Sequence, residues 1–136
     1  GGQCKILSDL FVFSNYTLID TPESLALAER YLSQLNVPHV HFAKADEVEN
    51  QSCDLVISHY GFTQTDAQQQ KDYLRKILSK ADRGYLICNF FPKTFGISAL
   101  SKENLLKQLS KAGISYEILP EEPLTGQNHF IIMWSK

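Results

Sequence analysis

The chain has 136 residues, enough for one hydrophobic core and too few for two. Its 13 basic and 15 acidic residues give a formal charge of −2, with no basic stripe interleaved with aromatics, so nucleic acid is not an expected partner. No apolar run approaches the roughly 18 residues of a membrane span, and the N-terminus lacks a charged-then-apolar leader; a soluble, cytoplasmic protein is expected.

Cys4, Ile6, Leu7, Leu10 and Phe11 recur at helical spacing and predict a helix over residues 4–13, directly after Gly1-Gly2-Gln3. Residues 16–19 read as a short buried strand that Asp20 closes. Thr21 is an N-cap candidate before Pro22, and Leu25, Ala28, Tyr31, Leu32 and Leu35 give the next helix one apolar face. Val37-Pro38 stops that helix, residues 39–42 form a strand, and residues 44–51 make an acidic connector. The β-branched run over residues 54–58 has the character of a central parallel strand. A helix over residues 66–81 follows, ended by Arg83-Gly84, and then a strand over residues 85–90. Ser101 caps a helix over residues 102–112, with Gly113 as its left-handed C-cap. Residues 116–119 and 130–134 are the last strands. Their linker holds Pro120, Pro123, Gly126 and Asn128 and is too short for a crossover helix, so they must run antiparallel.

This order predicts an α/β fold in a single domain over residues 1–136: an open, mostly parallel sheet with helices on both faces and a C-terminal antiparallel hairpin. Cys4, Cys53 and Cys88 are an odd set without CxxC spacing, which favours reduced thiols over a disulfide framework or zinc. His39 and His41 alternate along a strand and share a face, but neither they nor His129 have a carboxylate or cysteine partner at ligand spacing. No metal is expected.

Asp20 follows Gly2 by 18 residues, a spacing that points to a nucleoside site. Glycines let backbone approach a ligand at a helix N-terminus, and an acid about 20 residues later accepts hydrogen bonds from ribose hydroxyls. A flexible end for the glycines and a helix cap for Asp20 are the competing readings. The strand that should precede the glycines is missing and no Met opens the chain, so it is expected to be the C-terminal portion of a longer protein, or a trimmed one.

Several words of the chain resemble the sugar O-methyltransferase family, of the Rossmann-like, S-adenosylmethionine-dependent class. They are Gly1-Gly2-Gln3, Leu18-Ile19-Asp20 with Pro22-Glu23, residues 54–62, Arg83-Gly84-Tyr85-Leu86, and Glu122-Pro123-Leu124-Thr125 followed by Ile131-Ile132-Met133-Trp134. The resemblance runs the length of the chain. It implies an N-terminally truncated methyltransferase fold whose first strand and early glycine loop lie upstream, and self-association through the sheet edges this leaves exposed. S-adenosylmethionine is the implied cofactor and a carbohydrate hydroxyl the implied acceptor.

On that resemblance Gly1, Gly2 and Gln3 meet the methionine carboxylate, Asp20 the ribose and Asp46 the adenine, while Ser58 and Tyr60 border the reacting methyl. His59 is the candidate general base, although the family commonly carries Asn there. Phe62, Asn89, residues 92–95, Thr125 and Asn128 are candidate substrate contacts. For Asp46 a solvated connector, and for Asn89 and Asn128 plain turn chemistry, are the alternatives. A nicotinamide-dependent oxidoreductase domain and a non-catalytic interaction module are the rival functions.

Overall fold

The computed structural model of the chain describes residues 1–89 and 96–136. It forms two compact units, Gly1–Val48 and Glu49–Lys136.

In the first unit, α1 (Gly2–Leu10) leads into β1 (Tyr16–Asp20), α2 (Pro22–Gln34) and β2 (Val40–Lys44). β1 and β2 pair in parallel, from Tyr16 opposite Val40 to Asp20 opposite Lys44, with α2 as the crossover that a parallel pair requires. α2 starts where expected because Thr21 Oγ1 accepts the Ser24 N–H at 3.4 Å and Pro22 occupies the first turn. It ends at Gln34, three residues before Val37-Pro38. Asn36 adopts φ +51°, and the Val37 and Asn36 N–H groups close onto the Leu32 and Ser33 carbonyls, a left-handed cap. Leu25, Ala28 and Leu32 are the buried stripe of α2.

The second unit contains β3 (Cys53–His59), α3 (Ala67–Lys76), β4 (Ala81–Cys88), α4 (Lys102–Lys111), β5 (Glu117–Pro120) and β6 (Phe130–Ser135). Its sheet has the order β3-β4-β6-β5. β3 and β4 are parallel, while β6 runs antiparallel between β4 and β5, so the predicted terminal hairpin is present. Leu86 of β4, Ile132 of β6 and Leu105 and Leu109 of α4 are almost fully buried and centre this core. Leu109→Ala should therefore cost about 2–5 kcal/mol of stability, read from its urea midpoint, because the methyl groups it removes leave a void. α4 carries Ser101 at its N-cap and Gly113 at φ +75° beyond its end.

The predicted element order and α/β class hold, with four corrections. The single, mostly parallel sheet is instead two sheets, with parallel and antiparallel pairings in equal number: among the described residues β1 has only β2 as neighbour, and β3 only β4. Arg83-Gly84 does not end a helix. α3 stops at Lys76, a 3-10 turn spans Leu78–Lys80, and Gly84 lies inside β4 opposite Trp134. Glycine is needed there for close approach, since a Cβ would lie 2.1 Å from the Trp134 ring. His39 has φ +60° and lies outside β2, so it does not share a strand face with His41. The first helix ends at Leu10, where Phe11 turns extended, before the predicted Phe13.

Candidate functional site

The first unit contains a cleft of about 480 Å³, within the range of small-molecule sites. Gly1 and Gly2 line it from the start of α1, Leu18 and Asp20 from β1, and Ser24, Leu25, Leu27, Ala28 and Tyr31 from α2. A Cβ on Gly1 would lie 3.1 Å from the Tyr31 ring and 3.4 Å from the Ala28 Cα, so glycine allows α1 to start against α2. A Cβ on Gly2 would meet nothing within 4 Å. The first backbone bond of α1 runs from Lys5 N–H to the Gly1 carbonyl, so the first-turn N–H groups point out of the helix end, a geometry suited to an anion.

Asp20 ends β1 on the same cleft. Its Oδ1 accepts the Thr21 N–H at 2.8 Å, and Thr21, not Asp20, caps α2. Among the described residues Oδ2 takes no hydrogen bond, so an exposed carboxylate oxygen is available at the carboxyl end of a parallel strand. Gln3 Oε1 lies 3.3 Å from the Tyr16 hydroxyl, whose pKa burial pushes up to about 12. Asp46 is exposed in the turn after β2.

In the second unit, β3 delivers Ser58, His59 and Tyr60. Ser58 Oγ accepts the Phe62 N–H at 2.9 Å, which fixes the turn Gly61–Gln64. His59 is exposed, its ring 6.2 Å from that of Tyr85. Tyr60 has φ +61°, a strained value for a residue with a Cβ. Its N–H donates to the Ile87 carbonyl, and its own carbonyl accepts from Thr63 and Gln64. Phe62 is buried and packs near Tyr73. Asn89, also buried, accepts at Oδ1 from Thr63 Oγ1, 3.1 Å away, and its N–H donates back to that oxygen. Residues 92–95, named as substrate contacts, lie outside the described residues.

The Tyr60 hydroxyl donates to Glu121, which the sequence did not single out. Glu121 is only 6% exposed, and its Oε2 accepts from the Thr125 N–H at 2.9 Å, Thr125 Oγ1 at 2.6 Å and His129 Nδ1 at 3.1 Å. His129 therefore does have a carboxylate partner, contrary to expectation, because the loop between β5 and β6 folds back on itself. Asn128 is exposed in the same loop. The Thr125 hydroxyl, then the Tyr60 hydroxyl, hold the Glu121 carboxyl down at about 2, while the bond to Glu121 raises the Tyr60 phenol.

Because the folded-state value of Glu121 is depressed, its contribution to stability is fully present above about 4.5, its ordinary value, and is lost as pH falls toward about 2. Acid unfolding followed by circular dichroism should show this loss, and Glu121→Gln should flatten it. Spacing offered a faint signal for this cluster, with Thr125 and His129 four and eight residues after Glu121. Nothing in the sequence connected these to Tyr60. Among the described residues no three His, Cys, Asp or Glu side chains are grouped to hold a metal. Nor is any helix long and apolar enough to cross a membrane.

Solved structures with a similar course of chain include the methyltransferase CalO6, at TM-score 0.68 and 16% identity over 98% of this chain and 52% of that one. An O-methyltransferase family 2 protein from Planctomyces limnophilus DSM 3776, in complex with apigenin, matches at TM-score 0.67 and 14% identity over 98% and 46%. The fold is that of these methyltransferases. PigF, solved with SAH, matches at TM-score 0.65 and 14% identity over 99% and 48%. The chain thus spans about half the length of the structures it matches. No protein-family model matches the chain, and no curated sequence does.

Proposed function

We propose that the chain is part of a cytoplasmic, S-adenosylmethionine-dependent O-methyltransferase that moves a methyl group to a hydroxyl of a sugar or glycan precursor. In this proposal residues 1–136 are one partial methyltransferase domain, in keeping with the chain's span of about half the length of the structures it matches. The observation that carries it is the cleft of the first unit, where the start of α1 and Asp20 line one space. The fold of methyltransferases and the SAH held by PigF support the same cofactor class.

The residues present fit that cofactor. First-turn N–H groups at Gly1, Gly2 and Gln3 suit a carboxylate, Asp20 Oδ2 suits a ribose hydroxyl, and exposed Asp46 is proposed to meet the adenine. When bound, S-adenosylmethionine supplies a methyl group on a sulfonium. In the second unit Ser58 and Tyr60 are proposed to border the transfer site, with Phe62, Asn89, Thr125 and Asn128 on the acceptor side. His59, exposed at the end of β3, takes the proton from the acceptor hydroxyl in this proposal. Among the described residues β1 pairs only with β2 and β3 only with β4, and self-association through their other edges is part of the proposal.

Methyl-labelled S-adenosylmethionine offered with a panel of sugars and nucleotide sugars tests the reaction. Label in an ether linkage is expected, and label on nitrogen, or none, would overturn it. His59→Ala should lower turnover by about a hundredfold with cofactor affinity unchanged; full turnover would remove its role as base.

A further inference from the structure

Glu121 is a buried carboxylate that must collect donors to remain charged, and it collects four, from Tyr60, His129 and both groups of Thr125. Each hydroxyl has one proton to give, and an ionised carboxylate outcompetes a neutral oxygen for it. The Tyr60 and Thr125 protons therefore both point at Glu121. These two hydroxyl oxygens lie 3.1 Å apart, so neither proton remains to bridge them. His129 Nδ1 lies 2.8 Å from Thr125 Oγ1 as well and donates across the pair of acceptors, which leaves Thr125 one lone pair. Tyr60 is held in its left-handed backbone, with its ring 5.2 Å from that of His129. Thr125 is exposed and Tyr60 half-buried, so both oxygens are within reach of a ligand.

We propose that Glu121 is a positioning residue that sets the hydrogen-bond polarity of a small subsite, in which the Tyr60 and Thr125 oxygens jointly receive an O–H donor from the ligand. The subsite selects hydroxyl compounds over ethers of similar shape, because an ether brings a third acceptor to two oxygens that already lack a proton between them. Naming that ligand as the methyl acceptor rests on the methyltransferase proposal; the polarity does not.

The test titrates the full chain, with labelled tyrosine ring carbons and threonine methyls, with ethylene glycol and in parallel with 1,2-dimethoxyethane, followed by NMR. Tyr60 and Thr125 signals should respond to the glycol at about fivefold lower concentration, the factor that one net hydrogen bond supplies. In Glu121→Gln the amide both donates and accepts, the hydroxyls can rotate, and the preference should disappear while S-adenosylhomocysteine binding persists. Equal responses in the wild type, or a preference intact in Glu121→Gln, would overturn the proposal. If Glu121→Gln does not fold, Tyr60→Phe decides: the Thr125 response to glycol should weaken, and an unchanged response would overturn the proposal. Glycol preference without S-adenosylhomocysteine binding would count against the methyltransferase proposal alone.

Discussion

Replacing Gly84 by alanine should destabilise the chain by about 3 kcal/mol or more, at the upper end of overpacking effects. The added Cβ would lie 2.1–2.2 Å from three carbons of the Trp134 ring, a distance no packed pair sustains. The ring has little freedom to retreat, being only 6% exposed, with its indole N–H directed at the Ala81 carbonyl at 3.4 Å. Because Gly84 and Trp134 face each other across the β4–β6 ladder, the strain acts at the centre of the four-stranded sheet. Gly84→Ala combined with Trp134→Leu should cost less than the two single changes added together, since the second removes the ring that the first strikes. Urea unfolding of the four proteins measures this; Gly84→Ala within about 0.5 kcal/mol of the wild type would refute the packing account.

The second large effect concerns affinity. Asp20→Ala should weaken S-adenosylhomocysteine binding by roughly 30- to 150-fold, the value of about 2–3 kcal/mol in charge-assisted hydrogen bonds to a ribose. Its stability should change by less than about 0.5 kcal/mol, because Asp20 is exposed and the cap of α2 is Thr21. Thr21→Ala should give the converse, a loss of about 1 kcal/mol in stability with affinity retained. Calorimetry and thermal unfolding on both variants separate the roles of these adjacent residues. An Asp20→Ala protein that binds as tightly as the wild type would remove the carboxylate from the site.

The pattern of elements was legible because it depends on local chemistry. Thr21 and Ser101 cap their helices as polar residues before helical runs do, and Gly113 takes the left-handed turn that follows α4. Gly84 was misread because a glycine after a helical run resembles a helix stop, whereas its actual reason is a tryptophan 50 residues away across the sheet. The spacing of Gly2 and Asp20 marked two walls of one cleft, since α1 begins at the first and β1 ends at the second. Glu121 was invisible for the opposite reason. An acid in a linker of prolines and glycines reads as solvated, and only the folding back of that loop onto the end of β3 buries it against Tyr60. Exposed sheet edges were implied by the family resemblance rather than by any local pattern, and among the described residues β1 has only β2 and β3 only β4 as neighbour.

The most direct measurement is a calorimetric titration of the chain with S-adenosylhomocysteine, with NADH as the control. Saturable binding of S-adenosylhomocysteine, absent with NADH and weakened in Asp20→Ala, is the predicted result. Binding of NADH in its place would make the cleft that of an oxidoreductase, and binding of neither by the folded protein would contradict the assignment of the cleft to a nucleoside cofactor.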